Sequence, residues 1–157
     1  MNYSKKTKIE KKENINYFIK LFDDKEFNKL IDEGKKYLNK SCLNSDLISL
    51  IGDSYFFLKN YNNSLKFYLK AIDVKRNSQI LHNIGIIYKI KKKYDLAIKY
   101  LKDSIVLNPE YMFSYTSLSK LYIEINQLPN AKKTIKKAIN FYPNEVLPYL
   151  IYGNILF

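Results

Sequence analysis

Residues Ile80–Tyr111 read ILHNIGIIYKIKKKYDLAIKYLKDSIVLNPEY and hold the only histidine of the chain, His82, close to a block of three lysines, Lys91–Lys93. An isolated imidazole and a lysine cluster suggest a catalytic or nucleic-acid site. Their spacing points elsewhere. Gly85 has counterparts in Gly52, Ser119 and Gly153, at steps of 33, 34 and 34 residues. Tyr88 follows Gly85 by three residues, as Tyr55 follows Gly52 and Tyr122 follows Ser119. Ala97 is matched by Ser64 and Ala131, Ser104 by Ala71 and Ala138, and Pro109 by Pro143. Separate series at one period of 33 to 34 residues mark an internal repeat, and a repeat decides the architecture before any single residue does.

One unit shows why these residue types recur. In Ser45–Asn60 the apolar residues Leu47, Ile48, Ile51, Tyr55 and Leu58 form a helical stripe. After a polar break at Lys59–Asn60, a second stripe follows in Tyr61, Leu65, Tyr68, Leu69 and Ile72. Each unit is therefore predicted to be an antiparallel helix pair, here termed its A and B helices. Gly52 and Ser64 are small where the two helices approach, and the tyrosines fill the space beside them. Pro109 and Pro143 lack the N–H that a continuing helix needs, so they are expected to end the B helix and help start the next unit.

Composition narrows the classes. A chain of 157 residues can bury one substantial core, and four glycines and four prolines favour long helices over a many-stranded sheet. One cysteine, Cys42, excludes an internal disulfide framework and fits a reducing compartment. No apolar segment follows the basic start MNYSKKTKIEKKENINYF, and no run spans a membrane, so a cytoplasmic location is expected. The net charge of +12 invites a nucleic-acid reading. Against it, Arg76 is the only arginine, and arginine is the residue suited to bidentate phosphate and base-edge contacts. Lysines scattered among Asn, Ile and Tyr are what A/T-rich codons supply, and nucleic acid is not the expected partner.

The 34-residue helix pair, with its small residue and tyrosine, then alanine, a second small residue and proline, resembles the tetratricopeptide repeat family. Ser78–Tyr111 fits best, through Leu81, Gly85, Tyr88, Tyr94, Ala97, Leu101, Ser104 and Pro109. The resemblance implies an all-α fold, a right-handed superhelical α-solenoid of antiparallel helix pairs. The expected organisation is a basic, disordered tail over 1–12 and an array over 13–157. That array divides into a degenerate repeat at 13–44, repeats at 45–77, 78–111 and 112–145, and an unpaired A helix at 146–157. Gly34 falls inside a helix of the degenerate unit, where glycine costs about 1 kcal/mol.

By the same resemblance, A helices line a concave groove that binds a peptide or a helix of a partner protein. Family geometry puts Asp46, Ser49, Asp53, Phe56, Gln79, His82, Ile86, Lys89, Phe113, Thr116, Lys120 and Ile123 on that groove. The family's co-chaperones grip a chaperone's terminal carboxylate with lysine, asparagine and arginine. The matching positions here are Ser49 and Asp53, Asn83, and Phe113 and Ser117. Only Asn83 agrees, so a neutral or amphipathic segment is the better expectation. The alternative is the amino-terminal recognition arm of a larger enzyme, such as a glycosyl- or sulfotransferase.

No catalytic constellation is present: the sequence has no GxSxG, glycine-rich phosphate loop or HExxH, and His82 has no second ligand or nucleophile beside it. No enzyme activity, metal or cofactor is expected. The lysine block reads as a solvated turn between helices, and Cys42 as an inert thiol at a joint. The last segment, VLPYLIYGNILF, is apolar on every side. One side is expected to bury and the other to stay open, carrying some of Leu147, Ile151, Ile155 and Phe157. That surface predicts either self-association through this end or a continuing chain.

Overall fold

The computed structural model describes residues 15–40 and 43–156. The expectations for the tail at 1–12, for Cys42 and for Phe157 lie outside them. The described residues form nine helices and no strand. None is long and apolar enough to cross a membrane. The chain divides into two compact units, Met1–Arg76 and Asn77–Phe157.

The first unit contains α1 (15–23), α2 (Phe27–Lys40), α3 (Ser45–Phe57) and α4 (Tyr61–Val74). Phe18, Leu21, Leu30 and Ile31 are buried between the first helices, and Phe27 stacks on Phe57 with ring centres 5.3 Å apart. Gly34 acquires a purpose the sequence did not show. A Cβ there would stand 3.0 Å from Ile51 Cδ1, so the missing side chain lets α2 approach α3. At the α3–α4 crossing a Cβ on Gly52 would lie 2.7 Å from the ring of Tyr68, and Ser64 Oγ donates to the Gly52 carbonyl at 2.8 Å.

The second unit contains α5 (Ser78–Ile90), α6 (Tyr94–Leu107), α7 (Met112–Glu124), α8 (Leu128–Phe141) and α9 (Val146–Leu156). Its core holds Leu101, Leu118, Leu121, Tyr122 and Ala131, with Tyr115, Ile135, Ala138 and Ile151 beside them. Gly85 meets Leu101 and the Ala97 carbonyl, and Ser119 Oγ donates to the Ala131 carbonyl at 3.0 Å. Wherever serine replaces glycine or alanine at such a crossing, its hydroxyl caps the opposing carbonyl, so the polar atom is buried without an unmet bond. Ser104 does the same at the joint, donating to the Ser78 carbonyl at 2.6 Å with Ser114 Oγ at 2.7 Å.

The turns within helix pairs share one geometry. Lys25, Lys59, Lys92 and Asn126 all have φ between 57° and 60°, the left-handed region. The next residue's N–H reaches back to Leu21, Tyr55, Tyr88 and Tyr122 respectively, closing the helix as a Schellman motif. The lysine block is thus a C-terminal cap as well as a solvated turn. Pro109 and Pro143 lie in the linkers and not in the first turn of the following helix; Pro129 occupies that place in α8.

The expected open side of α9 needs correcting. Ile151 is buried, and Leu147 and Ile155 pack on the core formed with α7 and α8. The exposed apolar residues are Val146, Tyr149, Leu150 and Leu156. Nothing stands within 4 Å of a Cβ on Gly153, between them. With Asn154 as its one polar side chain, the helix carries no polar face broad enough to say which side turns inward, so packing chose it.

Candidate functional site

The twelve positions expected on the groove fall on α3 in the first unit and on α5 and α7 in the second. On α3, Asp46 is exposed and its carbonyl accepts from Ser49 Oγ at 3.0 Å. The Asp53 carboxylate accepts from Tyr68 Oη, and Phe56 packs edge-on against Tyr61 at 5.5 Å. Ser49, Asp53 and Phe56 are engaged within their own unit, and the Asp46 side chain is the most accessible of the four.

On α5 and α7, Gln79, Phe113 and Lys120 are exposed, and His82, Ile86 and Lys89 are half-buried. Phe113 is 52% exposed beside Tyr111, with ring centres 5.6 Å apart. Lys89 is paired with Glu124 at 2.9 Å, and Glu124 also accepts from Tyr94 at 3.2 Å. The hydrogen bond from Lys89 holds the Glu124 carboxyl below its ordinary range. Thr116 is buried and spends its hydroxyl on the Phe113 carbonyl at 3.0 Å, while Ile123 packs on the core. Those two offer little surface.

His82 joins the two helices. Its Nε2 lies 2.9 Å from Ser117 Oγ, its Nδ1 3.2 Å from Asn83 Oδ1, and Tyr111 presents its ring edge-on. Asn83 Oδ1 can only accept, so Nδ1 carries the proton and Nε2 receives the Ser117 hydroxyl. Burial pushes the imidazole below its ordinary value, with the Asn83 bond working in the other direction. A neutral histidine bonded on both nitrogens positions α5 against α7; it is poorly placed to act as a base. Sequence reasoning missed Ser117 as the partner of His82 and Glu124 as the partner of Lys89. The period placed Ser117 one repeat after Asn83, but no pattern reports a bond between helices 35 residues apart.

Among the described residues no group of three or more His, Cys, Asp or Glu could hold a metal ion. What α5 and α7 present is a face with the exposed Phe113 ring at the start of α7 and the Lys89–Glu124 pair at the far ends of the two helices.

Comparison with known proteins places the chain. It is 27% identical over 108 residues to BBSome complex member BBS4 of Bos taurus, covering 68% of this chain and 20% of that protein. The chain thus spans about a fifth of the length of the curated relatives it matches. The solved structure of MamA has the same fold, with TM-score 0.79, 20% identity, and coverage of 87% of this chain and 80% of that one. The first TPR of Spaghetti (RPAP3), bound to the HSP90 peptide SRMEEVD, superimposes with TM-score 0.66 at 21% identity, covering 71% and 90%. The tetratricopeptide repeat model matches residues 45–78, 78–111 and 114–145, more than half of the chain. The helix pairs closed around Gly52, Gly85 and Ser119 are the same units, and the chain belongs to the tetratricopeptide repeat family.

Proposed function

We propose that this chain is a protein-interaction module whose α5–α7 face binds a peptide or a helix of a partner protein. The observation that carries the reading is Phe113, an exposed aromatic ring at the start of α7 packed beside Tyr111, on a face that continues through half-buried His82 and Ile86 to Lys120 and the Lys89–Glu124 pair. An exposed aromatic side chain on a face that also carries polar and charged groups has the composition of a protein-binding surface. Charges of both signs favour a neutral or amphipathic segment over an acidic tail. The HSP90 peptide bound by the Spaghetti repeats supports a peptide mode for the fold. It does not extend to that ligand here, because Asn83 is turned to His82 and Phe113 and Ser117 stand where a cationic clamp would be needed.

Site-specific photo-crosslinking tests the reading. A benzophenone side chain at Phe113 is expected to capture a partner that the same group at Lys66, on α4, does not. Identical capture profiles from both positions would reject the α5–α7 face as the binding surface.

A further inference from the structure

Helix α8, LPNAKKTIKKAINF, carries four lysines and no acidic residue. They divide by side. Lys132 and Lys136 reach over the ring of Tyr152 at 5.9 and 5.7 Å, which leaves Lys133 and Lys137, one turn apart, on the side of α6. There, between α6, α7 and α8, lies a cavity of about 340 Å³. Its floor is Tyr115 and Leu118, both buried, and its lip is Val106, which is 80% exposed. Lys102 of α6 faces Lys133 and Lys137 of α8 around it. Among the described residues no carboxylate lies within 4.0 Å of any of these three ammonium groups. At 100° per residue, Tyr115 and Leu118 are on the opposite side of α7 from Phe113 and Lys120, so this cavity is separate from the face described above.

We propose that the cavity is a second binding site that takes an acidic peptide segment, one large apolar side chain entering against Tyr115, Leu118 and Val106 while flanking carboxylates face Lys102, Lys133 and Lys137. Charge complementarity sets the sign of the ligand, and the apolar floor sets its kind. A cavity near the small end of ligand pockets holds a side chain or two. A phosphate backbone gains nothing from a recessed apolar floor, and a membrane surface would reach the exposed Val106 but leave that floor unfilled.

The test uses the full chain and a fluorescein-labelled peptide with a central Leu–Phe pair flanked by two glutamates on each side, read by fluorescence polarisation. The peptide is expected to bind, and Lys133→Glu with Lys137→Glu is expected to weaken it by about tenfold or more. Val106→Asp weakens it by about fivefold or more, and replacing Leu–Phe by Ser–Ser in the peptide abolishes binding. The equal charge change Lys66→Glu with Lys70→Glu, on α4, alters it by less than about twofold. Circular dichroism checks each variant, and Lys133→Gln with Lys137→Gln replaces the reversal if that protein does not fold. The proposal is overturned by absence of binding, by equal losses from the two lysine pairs, or by equal affinity for the Ser–Ser peptide. It is also overturned if phosphatidylserine vesicles or oligo-dT bind through Lys133 and Lys137 and the peptide does not.

Discussion

At the scale of single residues, glycines of one repeated series have different physical status. A Cβ on Gly85 would meet Leu101 Cγ at 2.8 Å, and both Leu101 and its surroundings are fully buried. Gly85→Leu is therefore expected to cost about 3 kcal/mol or more in urea unfolding, since overpacked cores pay in strain and displaced backbone. Gly153 has the same place in the period and nothing within 4 Å, so Gly153→Ala should stabilise by up to about 1 kcal/mol through helix propensity. Equal effects at the two positions would refute the packing assignment. His82 predicts a pH dependence. Its folded value is depressed below the ordinary 6.5, so the unfolded chain binds the proton more readily. The stability it contributes is complete above pH 6.5 and is lost as pH falls below that value. The urea midpoint of the native chain should drop on acidification from pH 6.5 to 5. His82→Gln should flatten that part of the profile. The Glu124 carboxyl, also depressed, acts in a lower window, starting below 4.5.

At the scale of helices, the same turn is built with better and worse chemistry. Asn44 and Asn77 cap α3 and α5, each side chain accepting from two backbone N–H groups. Asn60 caps α4 from φ −86°, ψ 70°, and Lys93 precedes α6 with φ −91°, ψ 70° and no side-chain bond. Lys93→Asn puts the capping side chain into a backbone already shaped for it and should stabilise by about 0.5–1 kcal/mol. Lys92, at φ 57°, carries a Cβ where glycine is the relaxed choice. Lys92→Gly is expected to raise stability by about 0.5 kcal/mol, and Lys92→Ala, which keeps the Cβ, to change it by less than that amount. Thermal melts of the three variants separate the cap from the turn; a loss of stability in Lys92→Gly would contradict the assignment.

At the scale of the whole molecule, α9 places Val146, Tyr149, Leu150 and Leu156 in solvent, with Val146 and Leu150 67% and 61% exposed. Contiguous apolar surface of this kind binds hydrophobic dyes. The protein should enhance anilinonaphthalene sulfonate fluorescence, and Val146→Lys with Leu150→Lys should remove about half or more of the signal. Its helical circular dichroism and unfolding midpoint should change by less than about 0.5 kcal/mol in stability terms, since neither side chain contributes to the core. An unchanged signal would place the apolar surface elsewhere.

The repeat period, the helix pairs and the small positions at Gly52, Gly85 and Ser119 were all written in the sequence, because each depends on contacts between helices joined by a short turn. Such contacts impose a local spacing, and spacing is what a sequence displays. Tertiary structure decided the rest. The bond from His82 to Ser117 and the carbonyl capping by Ser64 and Ser119 depend on the rotation of one helix against another. So do the burial of Thr116, the inward side of α9 and the lysine-rimmed cavity between α6 and α8. No residue type or interval encodes that rotation; it is settled only when all the side chains at a crossing are packed together.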